Sequence, residues 1–147
     1  MATMNSALFY RDPKAALVWL QAAFGFEVSV LLEDAEGNLA HSQLTFGDSY
    51  VMVGTEWSDV HQSPLSVQGR NTQTVHIKLD QDIDAHCERA RVAGAVIVAE
   101  PETQFYGDRT YRCRDPEGHN WTLSQTVVTV SIADQEAASG LKFKVAE

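Results

Sequence analysis

This chain has little of several things that would have placed it quickly. Its 147 residues hold two cysteines, Cys87 and Cys113, at a spacing that makes neither a disulfide framework nor a zinc knuckle. A reducing, cytoplasmic compartment is the expectation. No apolar run reaches the length of a membrane span, and residues 1–6 lack the basic-then-apolar pattern of a signal peptide. Basic residues are scarce, with 11 Lys and Arg against 20 Asp and Glu, a net charge of −9. Without a basic stripe, nucleic acid is not an expected partner. There is no G-x-S-x-G, and neither cysteine stands beside a visible base. What remains is one ordinary domain, or two small modules sharing a core.

Turn signals organise the second half. In FYGDRTYRCRDPEGHNW, residues 105–121, Tyr106-Gly107-Asp108 and Asp115-Pro116-Glu117-Gly118 flank a strand at 110–114. Pro116 has the fixed φ that suits the second position of a tight turn, and Gly118 can take φ > 0 at its close. The pattern predicts an antiparallel hairpin whose next strand starts at His119. The first half reads as strand 5–10, a helix, then strands 27–33, 39–46 and 50–55. Asp12 is placed to cap the helix and Pro13 to open it; Ala16, Leu17, Leu20, Ala23 and Phe24 keep helical spacing, and Gly25 ends it.

Residues 56–71 are polar and aperiodic, with Pro64 and Gly69, and read as a connection. Strand 72–79, helix 82–93 ended by Gly94, strand 95–99 and the hairpin follow, ending near Gln125. A constant offset of 69 residues carries Gly25 onto Gly94, Tyr10 onto Leu79, and Gly47-Asp48 onto Pro116-Glu117. Similarity at a fixed offset predicts a duplicated βαβββ unit. Module 1 spans about 4–56, module 2 about 72–125, the connection 57–71 and a C-terminal extension 126–147. In the extension, residues 126–132 are β-branched and apolar, 133–140 small and polar, and 141–145 a short amphipathic end. A frayed tail is the simple reading. The cost of exposing Val127, Val128, Val130 and Ile132 favours order instead, as a strand or as an arm on a partner chain.

Three segments, LFYRDPKAALVWLQAAFGFE, HIKLDQDIDAHCERARVAGA and YGDRTYRCRDPEGHNW, together resemble the vicinal-oxygen-chelate superfamily, which includes glyoxalase I, bleomycin-resistance proteins and extradiol dioxygenases. The resemblance covers residues 5–125. It implies an α+β fold of two tandem βαβββ modules, forming a curved mixed sheet around a cleft, and a homodimer. It leaves function open, because the fold hosts several chemistries. Metal-dependent members take His and Glu ligands from the first and last strand of each module. Aligned on Arg11-Asp12-Pro13, the first such position is Asn5, and the offset gives Thr74. Counted from Gly118, the last-strand position of module 2 is Thr122, and the offset returns Val53. None is an imidazole or a carboxylate. No metal and no cofactor is therefore expected at the usual place, and the resemblance points to the metal-free, bleomycin-resistance-like branch.

Strand alternation assigns the cleft face. It takes Asn5, Ala7 and Phe9; His41, Gln43 and Thr45; Val51, Val53 and Thr55; Thr74, His76 and Lys78; Thr110, Arg112 and Arg114; and Asn120, Thr122 and Ser124. The candidate ligand-binding residues are Asn5, His41, Gln43, Val53, Trp57, Thr74, His76, Arg112 and Thr122, with Trp57 a lid over the cleft or a packing residue. A polar face bearing His41, His76 and Arg112 suits a ligand with oxygens or negative charge. The simpler reading leaves His41 and His76 solvated on an open sheet. His61, His86 and His119 read as surface or turn residues, Asp108–Arg109 as a structural pair, and Trp19 as packing on the sheet or a partner chain. The cleft offers no paired carboxylates for acid–base work, and no catalytic residue is assigned.

Three functions fit. The first is a metal-free dimer binding a small polar or aromatic molecule, such as an antibiotic to be sequestered. The second is a dimerising module without a ligand. The third is a lyase, isomerase or dioxygenase with displaced ligands such as His41 and His76. They rank in that order, with binding favoured over catalysis.

Overall fold

The computed structural model describes residues 1–144. It contains β1 (Ser6–Tyr10), α1 (Pro13–Phe24), β2 (Glu27–Glu33), β3 (Leu39–Phe46), β4 (Ser49–Thr55), β5 (Val75–Lys78), α2 (Ile83–Val92), β6 (Val96–Thr103), β7 (Asp108–Arg114), β8 (Asn120–Thr126) and α3 (Ile132–Ser139), with a 3-10 turn at Pro64–Val67 in the connection. Two four-stranded sheets result, ordered β1-β4-β3-β2 and β5-β8-β7-β6. In each, the first and last strands pair in parallel and the other pairs are antiparallel. This is the tandem α+β architecture that the pattern implied. The local signals act as expected. The Asp12 carboxylate accepts from Ala15 N at 3.1 Å, Pro13 opens α1, and Gly25 closes it at φ 82°.

The constant offset does not survive the last hairpin. Ser6 pairs with Val51, whereas Val75 pairs with Trp121. The offset is therefore 69 in the first strand and 70 in the last. The turn explains the slip. Gly47 and Asp48 alone separate the paired residues Phe46 and Ser49. In module 2, Asp115 N donates to His119 O across three residues. The extra residue moves the equivalent of Thr122 from Val53 to Met52. Val53 pairs with Leu8, 1% exposed in the core, and Val51 is buried beside it. The assignment of Val51 and Val53 to the cleft is thus corrected, and Met52 takes the polar face opposite Ala7. Three consecutive apolar residues, Val51-Met52-Val53, carry no alternation that could have fixed the phase.

The two modules meet through their apolar faces. Phe26 precedes β2, the strand of sheet 1 farthest from β1, yet its ring lies 5.8 Å from Trp121 of sheet 2. Sheets joined side by side could not make that contact. Helices α1 and α2 lie between them, antiparallel. Trp19 Nε1 donates to Ala93 O at 2.8 Å, Arg89 donates to the carbonyls of Ala22 and Gln21 at the end of α1, and His86 stacks on Phe24 at 5.6 Å. One continuous core joins both halves. The polar faces of the two sheets consequently look outward, away from each other.

A buried polar clasp fixes one side of this sandwich. The β7–β8 turn carries Asp115 and Glu117 into the corner between β1 and α1. Asp115, 3% exposed, accepts from the Tyr10 hydroxyl at 2.5 Å, Trp121 Nε1 at 3.1 Å, and the amides of Glu117 and His119. Glu117 accepts from the amides of Arg11 and Asp12 at 2.7 and 2.9 Å and from the Ser63 hydroxyl at 2.6 Å. His119, expected in a turn, is buried, with Nε2 donating to Phe9 O at 2.8 Å. On the other side, the shorter β3–β4 turn and the corner between β5 and α2 border a groove of about 1200 Å³.

The extension is ordered within the chain, and not as an extra strand. Val127 N and Val128 N donate to Gly107 O at 3.0 and 3.2 Å. Ser131 then caps α3, which buries no side chain. The part of the amphipathic end at Val145 lies outside the described residues. Asp108 and Arg109 do not pair with each other. Arg109 reaches Asp84 of α2 at 3.0 Å, and Asp108 accepts from Thr126 Oγ1 at 2.7 Å. Among the described residues no helix is long and apolar enough to cross a membrane.

Candidate functional site

The outward face of module 1 carries an aromatic corner. Trp57, just past the end of β4, is 66% exposed. Its ring stacks on His61 with centroids 4.0 Å apart and planes at 22°. His61 meets Phe9 edge-on at 5.1 Å, and its Nδ1 lies 2.7 Å from Ser58 Oγ. Residues 57–61 thus fold back on themselves, and the free face of Trp57 is left as a shelf. Beside it lies a cavity of about 250 Å³ bordered by Ala7, Phe9, His41, Met52, Gly54 and Trp57. Gly54 keeps this floor low; a Cβ there would touch the Phe9 ring at 3.8 Å. Gln43 is half-buried on the same strand face as His41. From the sequence His61 reads as a surface or turn residue, and its place against Trp57 and Phe9 is not foreseen. The recurrence of aromatics at Trp57 and His61 was the signal available for it.

Module 2 presents a different surface. His76, Thr122 and Arg112 stand in register on β5, β8 and β7, forming one row across the sheet. His76 Nε2 lies 2.8 Å from Ser124 Oγ, a contact that orients the ring. Lys78 and Thr110 flank Ser124 in the next row. Arg112 and Arg114 are exposed, and the ion pairs among the described residues leave both out. This face is basic in a chain whose net charge is −9.

The candidate residues therefore do not meet in one cleft within one chain. His41 and Trp57 share the module 1 cavity. Asn5, Thr74 and His76 border the groove between the modules, His76 from the edge strand whose row continues through Thr122 to Arg112. Arg112 and Thr122 lie on the outward face of module 2. Val53 points into the core and leaves the set, and Met52 replaces it. With that correction the four corner positions are Asn5, Met52, Thr74 and Thr122: an amide, a thioether and two hydroxyls. This donor set does not fit Zn²⁺, Ni²⁺, Fe²⁺ or Mn²⁺, which take imidazole or carboxylate. Among the described residues no group of three or more His, Cys, Asp or Glu could hold a metal ion.

The buried titratable groups serve structure. His86, expected at the surface, is half-buried between α1 and the sheet of module 2. The Phe24 carbonyl, 3.2 Å from Nε2, can only accept, so Nε2 carries the proton and Nδ1 accepts from the Tyr111 hydroxyl at 2.6 Å. Burial lowers the proton affinity of His86; the Phe24 carbonyl opposes the shift and the Arg89 charge adds to it. Burial pushes the Cys87 thiol up to about 11 and the Cys113 thiol up to about 12. Neither thiol is an activated nucleophile.

Comparison with known proteins places this geometry. The family model of the Glyoxalase/Bleomycin resistance protein/Dioxygenase superfamily matches residues 3–123. The uncharacterized protein Rv0887c of Mycobacterium tuberculosis (strain H37Rv) is 34% identical over 139 residues, covering 92% of this chain and 81% of that one. The uncharacterized protein Mb0911c of Mycobacterium bovis is also 34% identical, over 92% of this chain and 90% of its own. Among solved structures, TioX from Micromonospora sp. ML1 is similar with a TM-score of 0.69 and 29% identity, over 86% of this chain and 100% of that chain. The fosfomycin resistance protein FosX of Listeria monocytogenes reaches a TM-score of 0.63 at 15% identity, over 92% and 98%, a likeness of fold alone.

Proposed function

This chain belongs to the glyoxalase/bleomycin resistance protein/dioxygenase superfamily, and on that premise we propose that it is a small-molecule-binding member that works without a metal ion. The observation that carries this reading is the donor set Asn5, Met52, Thr74 and Thr122, in which nothing suits a transition ion. The aromatic shelf at Trp57 and His61 supports it. An exposed indole beside a shallow cavity binds planar rings by stacking, with hydrogen bonds available from His41 and Gln43. Each outward face is half of a binding cleft. A second copy of the chain, laying its module 2 face over the module 1 face of the first, would close two equivalent clefts in a homodimer with two-fold symmetry. The ligand class is an aromatic molecule bearing oxygens. An antibiotic held in the cytoplasm by binding rather than turnover belongs to that class.

Calorimetric titration of the purified protein with Mn²⁺, Ni²⁺ and Zn²⁺ tests the reading. No tight stoichiometric site is expected, while a thermal-shift screen over aromatic compounds should give ligands whose effect is lost in Trp57→Ala. A stoichiometric metal that disappears when His41 and His76 are both replaced by alanine would favour a metalloenzyme instead.

A further inference from the structure

The row across module 2 names a part of the ligand, on the reading that the outward faces bind one. His76 and Arg112 flank Thr122 on neighbouring strands. Two strand spacings put their backbones about 10 Å apart. Arg112 is long enough to reach over the Thr122 hydroxyl, while His76 is held through Nε2 by Ser124 Oγ at 2.8 Å, which leaves Nδ1 without a hydrogen-bond partner among the described residues. Arg112 is exposed, and its planar fork is not used by any carboxylate among the described residues. The charges of opposite sign are displaced from this row. By register Glu102 lies in the next row, opposite Thr110, and Asp108 beyond it is engaged by Thr126 and by Lys78 at 3.7 Å.

We propose that His76, Thr122 and Arg112 form an oxyanion subsite that holds the carboxylate or phosphate of the ligand, while Trp57 of the other face holds its ring. The guanidinium donates two parallel hydrogen bonds to two oxygens. The Thr122 hydroxyl donates a third, and His76 closes the opposite end. Carboxylate and phosphate share this chemistry, and the probes separate them.

The experiment uses the full chain at low salt and three probes with one ring system: 2-naphthoate, 2-naphthyl phosphate and the neutral 2-naphthamide. At least one anion should bind about tenfold or more tighter than the amide. Arg112→Gln and His76→Gln should each erase most of that preference, with a far smaller change in amide binding. Arg112→Gln should melt with the wild type, since that side chain is exposed and outside every ion pair among the described residues, whereas His76→Gln, which removes the partner of the buried Ser124 hydroxyl, should melt slightly lower. The subsite is overturned if the wild type shows no preference for either anion, including no binding of any probe, or if the preference survives in the double variant. Trp57→Ala should weaken all three probes alike. If it left the amide untouched while Arg112→Gln still removed the anion preference, the stacking reading would fail and the subsite would stand.

Discussion

In module 2 the turn between β7 and β8 drives two carboxylates into the corner where β1 hands over to α1. In module 1 the corresponding turn, one residue shorter, brings Phe46 and Asp48 toward the corner where β5 hands over to α2 and stops at an open groove. A duplicated unit is locked by buried carboxylates at one turn only. The lock is polar. Seven donors, all neutral, satisfy Asp115 and Glu117. Burying an ion without a counter-ion is costly, and charge-assisted hydrogen bonds from fixed amides are what offset it. Glu117 also sits where α1 begins, at the positive end of the helix dipole. The difference teaches that each side of the sandwich has its own directional bonds: buried carboxylates at the corner of β1 and α1, and on the other side Arg89 and His86, which donate to carbonyls at the end of α1. The apolar faces, which pack without direction, supply adhesion.

Breaking the locked side should have the largest effect. Asp115→Ala leaves the Tyr10 hydroxyl, the Trp121 indole and two amides unpaired. Urea unfolding should show a loss on the order of 4 kcal/mol, at about 1 kcal/mol or more for each orphaned donor. Glu117→Gln keeps the shape but turns an amide donor toward the donors of Arg11, Asp12 or Ser63. A loss of about 2–3 kcal/mol is expected, whereas Asp48→Asn in the open turn should stay within about 0.5 kcal/mol. Equal losses at the two turns would mean that the asymmetry has no energetic content.

The open side should respond to pH through His86, which borders the groove. Its folded-state proton affinity is lowered from the ordinary value of 6.5, so the unfolded chain binds the proton more readily. That contribution to stability is complete above the unfolded value of about pH 6.5 and is lost as pH falls from there through the lower folded-state value. His86→Gln should flatten the corresponding limb of a plot of unfolding free energy against pH. The smallest effect belongs to the outward faces. Trp57→Ala and Arg112→Gln should change stability by less than about 0.5 kcal/mol, measured by thermal melting, because neither side chain is buried.

Much of the architecture was legible in the sequence because it is written locally. Asp12, Pro13 and Gly25 mark a helix by capping, and Asp115-Pro116-Glu117-Gly118 marks a turn by backbone preference. What was not legible depends on partners distant in sequence. The extra residue in the second turn is invisible to a count made outside the pairing, and it cost the phase of β4. Helix α3 has no apolar face, so no periodicity announced it. His86 and His119 read as polar and turned out to be buried, because their partners, the carbonyls of Phe24 and Phe9, lie 62 and 110 residues away. His41 and Trp57, candidates from the sequence, border one cavity in module 1. Their separation from Arg112 and Thr122 follows from the packing of the modules, which a strand-by-strand reading does not contain.

A mixing experiment tests most directly the proposal that the cleft forms between two copies. Trp57→Ala and Arg112→Gln proteins, each bound only weakly by a naphthyl anion, are co-refolded in equal amounts and titrated with it. If each cleft joins module 1 of one protomer to module 2 of its partner, every mixed dimer contains one cleft with both residues intact. About a quarter of all sites should then regain wild-type affinity. If no site recovers, a single chain supplies both faces of its own cleft, and the arrangement of outward halves completed by a second copy is wrong.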